Sequence, residues 1–334
     1  MRIVFFGSPD YALPTLRGLL DAPGLEVVLV VTQPARPRGR SGTPEPTPVG
    51  AMAAEAGVPV LTPERVRRDT TEVIAALAPD VGVLAASGHL LPQHLLDAFP
   101  HGVLNVHASL LPRHRGASPV AAAILAGDAE AGASIMLVVR ALDAGPVVAT
   151  ARTAIEPLDT AGTLTDRIAR IGAEAMLEVL PRWVAGGVEA VPQDESLVTY
   201  APRLAKEDGV LDWSRPAEVL ARQVRAFHPW PLATTTYLGQ QLTVHEVWPL
   251  PGLDTHESPG TVVRGDGVEL TGLLPGRRAL ALVACGGLDG FEGGALALLR
   301  VQRPGKRALD IEEYLRGDAK FIGARLGSEP DASP

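Results

Sequence analysis

Short apolar runs alternate with longer patterns of helical period through the first half of the chain. Ile3 to Phe6, Val27 to Val31, Val58 to Leu61, Val81 to Ala85, Val103 to Val106 and Ile135 to Val139 read as strands. Several are apolar on both faces, as in a parallel sheet covered by helices. Between them, residues 12–20, 49–56, 71–77, 92–99 and 119–125 read as helices, with Pro119 suited to a first turn. A longer amphipathic pattern over residues 161–183 predicts a helix that closes the domain. The expected fold class is α/β, a doubly wound, mostly parallel, Rossmann-like sheet over residues 1–187.

The pattern then changes. Residues 188–211 show little periodicity and carry Pro192 and Pro202, so they read as a linker. From 212 to 325 a helix at 217–227 precedes short strands at 233–237, 242–248, 260–263, 267–271, 279–283 and 295–301. Glycine and proline punctuate them at the intervals of a small β-barrel.

A length of 334 residues suits two domains with a core each, and 46% apolar against 20% charged residues excludes a mostly disordered chain. The apolar run near Met1 is four residues long, too short for a signal-peptide core, and nothing approaches the roughly 20 apolar residues of a membrane span. The single cysteine, Cys285, permits neither an internal disulfide nor a cysteine-based zinc cluster, and reads as a small buried hydrophobe. A cytoplasmic protein is expected. The net charge of −8 argues against nonspecific coating of nucleic acid, but leaves room for a local basic surface among 27 arginines.

The turn after the first strand holds one glycine, Gly7, where a dinucleotide site needs three. The densest polar cluster is residues 104–119, at the end of an apolar strand where open α/β sheets place ligands. Alternation sends Asn105 and His107 to one face. An amide donor and an imidazole so placed suit an acyl-type reaction, and equally suit strand-end groups bonded to nearby loops. Asp143, before Ala-Gly-Pro, is either a turn cap or, if its strand neighbours that of His107, a carboxylate that raises the imidazole pKa.

Taken together, Asn105-x-His107, Ser109-Leu-Leu-Pro-Arg-x-Arg-Gly-Ala-x-Pro119 and Leu142-Asp143-x-Gly145-Pro resemble the folate-dependent formyltransferases that use 10-formyltetrahydrofolate. Met1 to Asp10, Val31 to Arg40, Gln193-Asp-Glu-Ser196, Tyr200-Ala-Pro-Arg, Asp212-Trp-Ser-Arg-Pro and Pro229-Trp-Pro231 extend the likeness over nearly the whole chain. The last three segments are similar to the tRNA-directed branch, whose second domain is OB-like. The resemblance implies transfer of a formyl group to the amine of methionine carried by initiator tRNA, with 10-formyltetrahydrofolate as co-substrate and no metal. It implies catalytic roles for Asn105, His107 and Asp143: a hydrogen bond to the formyl oxygen, stabilisation or protonation of the tetrahedral intermediate, and a carboxylate that keeps the histidine charged. Ser109, Leu110, Leu111 and Pro112 would line the folate pocket, with Ala86 and Gly88 on a second wall. Arg36, Arg38 and Arg40 would meet tRNA from a loop, assisted by Arg303 and Lys306, and a monomer is implied. Four departures bear on details: Ser41-Gly-Thr-Pro replaces a glycine and two lysines after Arg40, Ser87 a tyrosine, His114 an aromatic residue, and Ala131-Gly-Ala-Ser134 a Thr-Gly-Val-Thr run of which only the second hydroxyl is kept. Two other readings stay open, a formyltransferase acting on a small amine such as an amino sugar nucleotide, and a tRNA-binding module without catalysis.

Overall fold

Ile3, Val4, Phe5 and Phe6 are completely buried, because the strand they form is central in a covered sheet. The computed structural model describes residues 1–37, 42–270, 277–287 and 293–327. Two compact units contain them, the first of residues 1–120, 129–154 and 163–202, the second of residues 121–128, 155–162 and the chain from Arg203 onward. The stretch 188–211, expected as a linker, is therefore divided, and its part up to Pro202 packs within the first unit.

The strands up to that point are β1 (Arg2–Gly7), β2 (Glu26–Val31), β3 (Arg36–Pro37), β4 (Pro44–Glu45), β5 (Val60–Leu61), β6 (Val81–Ala85), β7 (Val103–His107), β8 (Arg115–Gly116), β9 (Glu130–Leu137), β10 (Val147–Ala154) and β11 (Tyr200–Ala201). Seven make one sheet in the order β10-β9-β7-β6-β1-β2-β5. It is parallel from β7 to β5, while β9 runs antiparallel to β7 and β10 antiparallel to β9. Strand order reverses between β1 and β6, which opens a crevice beyond their C-terminal ends. The helices are α1 (Leu13–Asp21), α2 (Pro48–Glu55), α3 (Arg68–Ala76), α4 (Gln93–Leu96), α5 (Pro119–Ala126) and α6 (Ala161–Val184). Thr47 caps α2 by accepting the Gly50 amide at 3.0 Å, with Pro48 opening the helix. Only one turn of the helix expected at 92–99 forms, and tight turns then bury Phe99.

Leu164, Ile168, Gly172, Met176 and Leu180 form the buried face of α6. Gly172 is essential to that packing: a Cβ there would lie 2.7 Å from Val106 and 2.9 Å from Ala133. The helix thus rests on β7 through Val106, and alternation turns Asn105 and His107 to the opposite face.

The second unit holds α7 (Ala217–Ala226), β12 (Ala233–Tyr237), β13 (Gln240–Leu250), β14 (Val262–Glu269), β15 (Arg278–Cys285), β16 (Gly294–Gln302), β17 (Leu309–Asp310) and α8 (Ile311–Gly317). The strands pair antiparallel in the order β12-β13-β16-β15-β14, with β17 on β16. The two strands expected at 260–263 and 267–271 are one, β14, with a register break between Arg264 and Val268. Residues 323–327 close the sheet. On one side the Gly323 amide donates to the Val262 carbonyl at 2.8 Å, and on the other the Gly327 amide donates to Thr236 of β12 at 2.9 Å. The result is an OB-like barrel around Trp213, Leu220, Val244, Val262, Leu298 and Phe321. Trp213 is buried in the core of this unit, its indole donating to Thr235 at 2.9 Å, whereas Trp230 is 53% exposed. Cys285 is partly buried, and burial pushes its thiol up to about 12, so it stays protonated and unreactive.

Candidate active site

Asn105 and His107 lie at the crevice end of β7, both buried. His107 pairs in register with Ser134 of β9, and the turn after β9 carries Asp143, so the neighbouring strands bring the three groups together. His107 Nδ1 is 3.8 Å from Asp143 Oδ1, and Nε2 lies 3.2 Å from the His114 carbonyl oxygen. A carbonyl only accepts, so Nε2 carries a proton and Nδ1 faces the carboxylate. Burial holds the His107 pKa below its ordinary 6.5, against the opposing pull of Asp143. The carboxylate thus favours the charged ring while desolvation, the larger influence at rest, favours the neutral one. Asp143 itself has a left-handed backbone, φ 48°, and its Oδ2 accepts the Gly116 amide at 2.9 Å. The Asn105 Oδ1 atom is buried without a hydrogen-bond partner, a cost that core amides normally avoid.

The loop after β7 is held from within. Ser109 Oγ donates to the Arg113 carbonyl at 2.7 Å, while Ser134 Oγ donates to the Ser109 carbonyl at 2.7 Å and accepts the Leu111 amide at 3.0 Å. Leu110, Leu111 and Pro112 remain half-exposed, and the Leu111–Pro112 peptide is cis. Ser134 was legible only as one hydroxyl in a run of small residues; the structure shows that it fastens the loop. Across the crevice, Ala86 and Gly88 are exposed and flank buried Ser87. The Ser87 carbonyl accepts from Ser8 Oγ at 2.9 Å, which ties the ends of β1 and β6 together.

Residues 191–201 wrap this centre as a strap. Val191 and Val147 exchange two backbone bonds of 2.8 Å, and β11 pairs parallel with β8. Arg115 is 3% exposed, and its guanidinium is bound by Gln193 and by Glu195 at 2.8 Å. Gln193, Glu195 and Thr199 are the residues that periodicity could not assign. Their signal was the polar Gln-Asp-Glu run in a segment with no other reason to be ordered.

The expected tRNA contacts are dispersed. Arg36 is exposed at the start of β3, 3.9 Å from Glu64. Arg38 and Arg40 lie outside the described residues. In the second unit, Arg303 donates to Asp318 and to the Tyr314 hydroxyl, so its charge is engaged, and Lys306 is exposed. Arg300 and Arg307 likewise meet Glu246 and Glu313, so most of the arginine charge near Arg303 is paired with carboxylates. Among the described residues there is no group of three His, Cys, Asp or Glu placed to hold a metal, and no helix long and apolar enough to cross a membrane.

A family model described as "Formyl transferase" matches residues 1–180, and one described as "Formyl transferase, C-terminal domain" matches residues 203–319. A methionyl-tRNA formyltransferase from Bacillus licheniformis is 43% identical over 99% of both chains. One from Gluconobacter oxydans is 44% identical over 98% of this chain and all of its own. Among solved structures, an N-formyltransferase from Helicobacter canadensis, in complex with folinic acid and dTDP-3-aminofucose, has a TM-score of 0.62 at 15% identity, covering 89% of this chain and 98% of that one. HypX from Aquifex aeolicus in complex with tetrahydrofolic acid has a TM-score of 0.56 at 20% identity, covering 96% of this chain and 48% of that one. At such identities the two solved structures speak to the fold.

Proposed function

The chain belongs to the methionyl-tRNA formyltransferase family, and from this premise we propose that it transfers the formyl group of 10-formyltetrahydrofolate to the α-amine of methionyl initiator tRNA. N-formylmethionyl-tRNA and tetrahydrofolate are released, the first for translation initiation. The observation that carries the reading to particular residues is the convergence of Asn105, His107 and Asp143 at the crevice end of β7.

The neutral amine attacks the formyl carbon, forming a C–N bond as the carbonyl π pair moves onto oxygen. The Asn105 side-chain amide donates a hydrogen bond to that oxygen as its charge develops. The nitrogen, now cationic, gives a proton to His107 Nδ1, the ring nitrogen left without one, and Asp143 stabilises the imidazolium. Collapse of the intermediate breaks the bond from carbon to N10 of the folate, which takes the proton from His107 and leaves as tetrahydrofolate. Holding both substrates in line supplies much of the rate, and no covalent enzyme intermediate is needed.

Ser109 to Pro112 on one side and Ala86 with Gly88 on the other form the walls for the pterin, with backbone groups for its polar edge and leucines for its faces. Arg36, Arg38, Arg40 and Lys306 meet tRNA phosphates, and Arg303 joins them by exchanging Asp318 for phosphate. The protein acts as a cytoplasmic monomer, residues 1–187 housing the chemistry together with the strap that follows them, and 212–325 assisting with tRNA. The test is an assay of purified protein with 10-formyltetrahydrofolate and charged initiator tRNA, beside free methionine and amino sugar nucleotides. Formylation of a small amine but not of charged tRNA overturns the reading.

A further inference from the structure

The Asp143 side chain reaches His107 from a backbone in the left-handed region, φ 48°, a conformation open to aspartate but uncommon, so what holds the turn sets where the carboxylate points. Gln193 provides that fixing. Its Nε2 donates both to the Asp143 carbonyl at 2.8 Å and to the Gly145 carbonyl at 2.7 Å, so one side-chain amide spans the turn. Its Oε1 accepts from Arg115 Nε at 3.0 Å and Nη2 at 2.9 Å. Arg115 precedes Gly116, whose amide donates to Asp143 Oδ2, and this closes a ring: Asp143 to Gln193, to Arg115, to Gly116, and back to Asp143. Glu195 holds the far side of the guanidinium, so the fork has one orientation.

We propose that Gln193 and Arg115 are positioning residues of the reaction, which set the Asp143 carboxylate against His107 Nδ1 through this ring without touching substrate. The strap is then part of the catalytic centre rather than a connection. The proposal rests on the reading of His107 and Asp143 as the proton-transfer pair. The groups that face His107 are Asp143, the His114 carbonyl and the His114 ring. Of these, Asp143 is the charge that favours a protonated ring, so loosening the ring of bonds weakens the one charge that opposes burial and moves the imidazole pKa further down.

The experiment compares the full chain with Gln193→Met, which keeps volume and removes both ends of the bridge, and with the pair Arg115→Lys and Arg115→Met. Steady-state rates with 10-formyltetrahydrofolate and charged initiator tRNA are combined with NMR titration of the His107 imidazole. Gln193→Met is expected to lower kcat at least about tenfold with both KM values within about twofold, and to move the His107 titration to lower pH. Arg115→Lys, which keeps the charge and one donor, is expected to recover part of the kcat lost in Arg115→Met. An unchanged His107 titration in Gln193→Met overturns the proposal, as does a loss of kcat that only follows a loss of folded protein in thermal melts. Failure of the wild-type chain to formylate charged tRNA would instead remove the functional reading, with the ring still judged by the His107 titration.

Discussion

At the residue scale, one unmet hydrogen bond and one depressed pKa make the sharpest statements. Asn105 holds a buried, unpartnered Oδ1, so its side chain contributes little to stability relative to alanine. Asn105→Ala is expected to lower kcat about 10²- to 10³-fold, the cost of removing one oxyanion donor, with no fall in melting temperature. A parallel drop in both would mean that Asn105 is structural. For His107, burial lowers the folded pKa below the unfolded 6.5. The unfolded chain therefore binds the proton more readily, and this residue's contribution to stability is intact above about pH 6.5 and lost as pH falls towards the folded value. His107→Asn should abolish that increment, so the melting-temperature gap between wild type and variant narrows or reverses on acidification from about pH 7.5 to about 5.5. Sequence alternation puts Asn105 and His107 on one face, but it carries no information on desolvation, which comes from the packing that buries both side chains.

At the scale of elements, steric limits protect the turn between β9 and β10. A Cβ on Gly145 would lie 1.7 Å from the Leu137 carbonyl oxygen, so any side chain there must displace the turn that bears Asp143. Gly145→Ala should destabilise by about 1–3 kcal/mol, as overpacking does, and remove most activity even in the protein that remains folded. Denaturant unfolding beside kcat measured on the folded fraction checks both parts. Which elements were legible follows from how each is buried. β12 was read in full because Ala233, Thr235 and Tyr237 point inward between exposed or half-buried threonines, the period-2 signal at its cleanest. β10 was not foreseen, because an edge strand of small and polar residues, VVATARTA, buries too little to leave a pattern. The Glu130 to Ser134 part of β9 is hidden for the opposite reason: it is buried, but close packing there needs small residues, and Gly132 would meet Leu110 and Ala151 if it carried a Cβ. The strap failed as a sequence signal differently, since its order comes from long-range polar bonds between residues some 80 positions apart.

For the whole molecule, the charge balance predicts how the two substrates will separate under salt. An acidic chain that meets tRNA through a few basic residues should lose tRNA affinity steeply as salt rises, by counterion release, while a folate held in a crevice should not. Raising salt from about 50 to about 200 mM is expected to raise the KM for charged tRNA several-fold and to leave that for 10-formyltetrahydrofolate nearly unchanged. Arg36, whose contact with Glu64 is long and exposed, is free to exchange that partner for phosphate. Arg36→Ala should reduce the salt slope for tRNA by about one. Equal salt dependence for both substrates would refute this division.

The stave formed by residues 323–327 has a consequence for how the protein is made. It pairs with β12, completed about ninety residues earlier, and with β14, so on the ribosome both of those strands wait with open edges while the chain between is synthesised. A product cut short before Gly323 would keep those edges for good, with unpaired N–H and C=O groups ready to recruit a neighbouring strand. Five residues thus separate a closed barrel from one with two open strand edges, the kind of edge that pairs with other chains.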